Sequence, residues 1–109
     1  MPRHDFGIMQ IPPEKGDRYD CYMPEEYGCV SVNDDDILPL LKGFKGVKCF
    51  WHTLDRPEFG LDYYGITLIP PESLGLMIEI IWDKPHLSDL ASLFVEAEKA
   101  KKYVIHFGI

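Results

Sequence analysis

The chain is poor in cysteine: it has three, and no two of them stand as a CxxC pair. Cys21, Cys29 and Cys49 do not frame a disulfide-stapled scaffold, so reduced thiols in a cytoplasmic protein are the expectation. No histidine lies at ligand spacing from a cysteine pair, which leaves no predicted metal site and no predicted cofactor. Long apolar runs are also missing. The longest, Leu74 to Trp82, is interrupted by Glu79 and falls far short of the roughly 20 residues that span a bilayer. The first residues, Met1-Pro-Arg-His-Asp, hold no apolar signal region, so a membrane is not an expected partner. Neither a Gly-rich phosphate cradle nor a Ser nucleophile elbow occurs, which lowers the expectation of an enzyme.

Basic charge is scarce too. Lys and Arg number 11 against 18 Asp and Glu, a net charge of −7. The imbalance is concentrated in Glu14, Asp17, Asp20, Glu25, Glu26 and Asp34 to Asp36, with only Lys15 and Arg18 opposing. Such a front repels phosphate backbones, which excludes nucleic acid as an expected partner. It either keeps a small protein soluble or attracts a basic protein. The Asp34-Asp35-Asp36 run lacks the spacers and glycine of a calcium loop and reads instead as a helix N-terminus capped by Asn33 or Asp34.

What is present suffices for a core. Apolar residues make up 46% and aromatic residues 13% of 109 residues, the size of one domain. Residues 1–27 read as an irregular lead-in, with Phe6 to Ile11 strand-like until Pro12-Pro13. Strands are predicted over Cys29–Val32, Val47–His52, Tyr63–Ile69 and Tyr103–Phe107. Helices are predicted after Asn33 and over a stretch opened by Ser88, whose apolar face holds Leu90 or Ala91, Phe94, Val95, and Ala97 or Glu98. Leu74, Met77, Ile78 and Ile81 sit at helical spacing, although β-branched residues also allow a strand there. The expected class is α+β: a two-layer sandwich with an antiparallel or mixed sheet of about four to five strands and about two to three helices on one face. The element order suggests a ferredoxin-like, split β-α-β arrangement.

The side chains from which sites are made gather in Cys49-Phe-Trp-His-Thr-Leu-Asp-Arg-Pro-Glu58. On a strand, residues three apart point to opposite faces, so Cys49 and His52 diverge and Cys49 is core filler. Past the strand end, His52 can meet Asp55 across a turn, Arg56 can clamp an anion, and Glu58 lies within reach. The competing reading is a self-satisfied loop in which Asp55 caps the turn and Arg56 pairs with Glu58. If Val47/Cys49/Trp51, Tyr64/Ile66/Leu68 and Tyr103/Ile105/Phe107 face the helices, then Phe50, His52, Thr67 and His106 share the opposite face. That face either meets a partner or is covered by the lead-in. His52, Asp55, Arg56, Glu58, Tyr64 and His106 are therefore the candidate binding residues, and Trp51 and Trp82 read as core or interface anchors.

Two function classes follow. The first is a small acidic cytoplasmic module that binds a protein, as a regulatory or neutralising partner or by self-association. The alternative is a small enzyme or ligand-binding domain built on His52, Asp55 and Arg56 in a pocket roofed by Tyr63 or Tyr64, for which a small-molecule ligand stays open.

Overall fold

Strand structure starts earlier than the sequence suggests. In a computed structural model that describes residues 2–109, Arg3–Ile8 forms β1, an interior strand rather than irregular lead-in. His4 and Asp5 give this segment a polar, terminal look, yet both are buried. Next come β2 (Val30–Asn33), α1 (Asp34–Ile37), a 3₁₀ turn (Leu38–Leu40) and α2 (Leu41–Phe44). Residues 34–44 are one helical stretch interrupted at Pro39, which has no N–H to continue an α-helix. The remainder runs β3 (Lys48–Trp51), β4 (Pro57–Phe59), β5 (Ile66–Ile69), α3 (Pro71–Ile81), α4 (Ser88–Ala100) and β6 (Val104–Phe107). No helix among the described residues is long and apolar enough to cross a membrane.

The sheet has six strands in the order β2-β1-β6-β5-β3-β4, and every neighbouring pair is antiparallel. This exceeds the expected four to five because the short edge strand β4 falls in a stretch that reads as a loop; the strand-like run from Phe6 corresponds to β1, which starts three residues earlier. The order also departs from a ferredoxin-like sheet. A single crossover helix would return the chain parallel to β5. Two successive helices, α3 and α4, reverse it twice, so β6 lies directly beside β5 and antiparallel to it. The ambiguous stretch is helical because Leu74, Met77 and Ile81 recur on one side and are fully buried. Trp82 falls just past that stripe and is 70% exposed, so it anchors no core.

Both sheet faces are covered. On one, Ile37, Phe44, Leu74, Met77, Leu90 and Phe94 of the helices pack against Phe6, Cys49, Ile69 and Val104. On the other, Ile66, Leu68, Ile105 and Phe107 meet Tyr19 and Tyr27 of the segment 10–29, called the strap below. Tyr22 and Tyr27 set their rings against Phe107 at 5.3 and 5.8 Å. Gly7 permits the close approach: a Cβ there would stand 2.6 Å from Tyr27 Cβ and 2.9 Å from Cys29 Sγ. The expected faces of β5 and β6 are thus reversed. Directly paired residues share a face, and Trp51↔Thr67, Thr67↔His106 and Phe6↔His106 put Thr67 and His106 on the helix side. Ile66, Leu68, Ile105 and Phe107 turn to the strap. With both faces buried, apolar alternation carries no sign of which face is which.

Candidate functional site

β1 and β6 pair Phe6 with His106, which brings His4 of β1 alongside His106 on the helix-side face. The two rings stack at 5.1 Å, and His4 Nδ1 lies 2.9 Å from His106 Nε2. Neither ring touches solvent. Each is bonded at its far side. His4 Nε2 donates to Asp34 Oδ1 at 2.8 Å, and Tyr63 Oη donates to Asp34 Oδ2 at 2.7 Å. His106 Nδ1 lies 3.3 Å from Thr67 Oγ1, which accepts the Asp62 backbone N–H at 2.8 Å.

Every ring nitrogen has a partner: His4 gives its Nε2 proton to Asp34, one proton lies between His4 Nδ1 and His106 Nε2, and His106 Nδ1 faces the Thr67 hydroxyl. No buried side-chain nitrogen or oxygen among the described residues lacks a partner. Burial, and next the neighbouring His4, holds the His106 imidazole well below its usual range, so it is uncharged. The His4 and Tyr63 hydrogen bonds hold the Asp34 carboxyl below the carboxylate norm. The same bond to Asp34 pushes the Tyr63 phenol up to about 12. Asp34 therefore does not cap α1: Asn33 occupies the N-cap without a side-chain bond, and the Asp34 carboxylate turns to His4 and Tyr63.

A second cluster sits at the rim of the sheet. His52 follows β3 with φ +65°, a left-handed backbone unusual for a side-chain-bearing residue. Its Nδ1 lies 2.9 Å from Asp20 Oδ1 and 3.1 Å from the Tyr19 carbonyl, and its Nε2 lies 3.2 Å from Asp62 Oδ2. The Tyr19 N–H donates to the His52 carbonyl at 2.7 Å. His52 thus ties the strap to the sheet. Asp62 joins the two clusters, its side chain on His52 and its N–H on Thr67.

The site expected from sequence is only partly assembled. His52 is in place, but its carboxylate partners are Asp20 and Asp62 rather than Asp55. The exposed Asp55 gives its backbone N–H to Thr53 Oγ1 at 3.3 Å. Arg56 stacks 5.3 Å from the Trp51 ring and pairs with Glu58 at 3.3 Å, as in a self-satisfied loop. Tyr64 is 76% exposed and meets Tyr63 edge-on. His106 is buried on the opposite sheet face from that expected, away from the other five candidates. His4, Asp34 and Asp62 are not among the expected site residues, and Tyr63 and Thr67 are expected only as neighbours of that site. Each sits where strand pairing, which one strand's pattern does not reveal, creates its partner.

Cys49 is core filler as expected, and burial pushes its thiol up to about 12. Among the described residues no group of three or more His, Cys, Asp or Glu is arranged to hold a metal ion. Three surface grooves, of about 620, 440 and 470 Å³, are lined by other residues than His4, His52 or His106. The buried pair is bonded on every side. It can hold β1, β6, β5 and the start of α1 in one register. Comparison with protein-family models, curated proteins and solved structures finds no match for this chain.

Proposed function

We propose that the chain is a small acidic protein-binding module that meets its partner through the strap face, acting by occupancy as a regulatory or neutralising component. One observation carries this reading. The strap sets Tyr19 and Tyr27 on the sheet and turns Glu14, Asp17, Glu25 and Glu26 outward, all exposed, while the exposed Asp20 is bonded to His52 and Arg18. Only Lys15 and Arg18 oppose them, and Arg18 is taken by Asp20 at 2.9 Å. Ile11, Tyr22 and Met23 are exposed among these carboxylates, which adds apolar contact to the charge. Three non-convergent thiols suit the reducing, cytoplasmic setting expected from the sequence.

The test is cross-linking of the native chain to its cellular partner, followed by mapping of the linked residues. Cross-links on the strap, and loss of the complex when Asp17, Glu25 and Glu26 are changed to Lys, support the reading. A partner linked only to the helix layer overturns it. A concentration-dependent dimer joined through the strap would make the partner a second copy.

A further inference from the structure

Resting on that reading, we infer that the contact site is a bent groove at the junction of strap, β1 and α4, and that it takes a cationic, amphipathic segment of the partner protein. Two clefts, of about 470 and 440 Å³, adjoin at Ile8, Gln10 and Tyr27, which line both. The first arm of the groove is mainly apolar and the second mixes apolar and polar side chains. Met9, Ile11 and Tyr19 continue one arm, while Val30 and Leu93 continue the other. Ile11 is 82% exposed at the wall, the most exposed large apolar side chain among the described residues. Nothing in the fold covers it.

The charged residues that line the groove are all acidic, with Lys102 at its border. Glu26 lines the first arm, and Asp89 and Glu96 of α4 line the second. Among the described residues none of these three carboxylates is in an ion pair with a cation. Asp17 and Glu14 stand close enough to Tyr19 to raise its phenol, after burial itself. Glu26 does the same to Tyr27, again after burial. The cation at the border, Lys102, is engaged by Gln10 Oε1. Apolar side chains inside an acidic rim select a segment that puts an aliphatic or aromatic side chain down and Lys or Arg outward. The larger groove beside Trp82, of about 620 Å³, lacks this bias: Lys99 and Glu96 both line it, and its Lys84 is paired with Asp83.

The experiment uses the full chain, ¹⁵N-labelled, and three short synthetic peptides: lysine–leucine, lysine–glycine of equal charge, and glutamate–leucine. The lysine–leucine peptide is expected to shift the amides of Ile8, Gln10, Tyr27 and Leu93 saturably. Its affinity should fall about tenfold in a Glu26→Lys, Glu96→Lys variant and again as salt is raised. An Ile11→Ser variant, exposed and neutral, should weaken it without changing the salt dependence. Equal binding of the lysine–glycine peptide, preference for the glutamate–leucine peptide, or no shift in these amides overturns the inference. A cellular partner that cross-links to the strap but away from this groove would sink the groove alone and leave the binding-module reading standing.

Discussion

His4 Nδ1 and His106 Nε2 share a hydrogen bond of 2.9 Å across 102 residues of chain, with both rings fully buried. Their interaction is the energetic knot of the sheet. Truncating either ring leaves a buried nitrogen of the other unpaired, at a cost of about 1–3 kcal/mol beyond the packing lost. His4→Ala and His106→Ala should therefore each be strongly destabilising. The double variant should cost less than their sum, by about 1 kcal/mol or more. Urea unfolding of the four proteins measures this, and strict additivity would show that the rings are not coupled.

The same pair sets the acid response. His106 is kept uncharged in the fold, well below the ordinary imidazole value of 6.5, while the unfolded chain takes up a proton near that value. The unfolded state then binds more protons, so the contribution of His106 is whole above pH 6.5 and shrinks as pH falls below it. Asp34, held below 3.8, adds a second loss that begins as its unfolded form protonates. Stability followed by urea midpoint should decline below about pH 6.5, and His106→Gln should flatten that decline. A wild-type midpoint unchanged between pH 7 and pH 5 contradicts this account.

Gly7 bears directly on the strap. A Cβ at that position stands 2.6 Å from Tyr27 Cβ, so Gly7→Ala must push the strap outward. The expected cost is about 1–3 kcal/mol. The readout is trypsin cleavage at Lys15 and Arg18, which should accelerate in the variant; unchanged cleavage would mean that the strap is anchored elsewhere.

His52 separates backbone from side chain. Its φ of +65° penalises any residue with a Cβ, while glycine adopts it freely. His52→Gly and His52→Ala both lose the contacts to Asp20 and Asp62, yet the alanine variant should be less stable by about 1 kcal/mol. Both should open the strap to trypsin. Equal stability of the two variants would indicate that the backbone relaxes without the side chain.

Thiol reactivity follows burial. Cys29 and Cys49 are each pushed up to about 12 by burial, whereas Cys21 is exposed on the strap. A disulfide reagent at neutral pH should label one thiol quickly and the others only on unfolding. Rapid labelling of Cys49 would place it at the surface instead.

Much of the secondary structure was legible from the chain. Leu90, Phe94 and Ala97 marked α4, Ile37, Leu40 and Leu41 marked the helical stretch after Asn33, and the apolar runs marked β3, β5 and β6. The α3 ambiguity was real at the level of propensity, because Ile78, Ile80 and Ile81 suit a strand while their spacing suits a helix. What stayed hidden depends on partners distant in sequence. His4 and Asp34 look like a polar terminus and a helix cap until β1 and β2 pair. Thr67 and His106 look solvent-facing until the strap buries the other side. The Arg56–Glu58 loop was readable because its contacts are local.

β6 is drawn from residues 104–107 yet lies in the middle of the sheet, between β1 and β5. On the ribosome, the other five strands emerge before the strand that bridges them exists. Until Val104–Phe107 clears the exit tunnel, β2-β1 and β5-β3-β4 are two unjoined ribbons with open inner edges. Closure is then a late, long-range event, which favours slow folding and leaves the nascent chain dependent on whatever shields those edges in the interval.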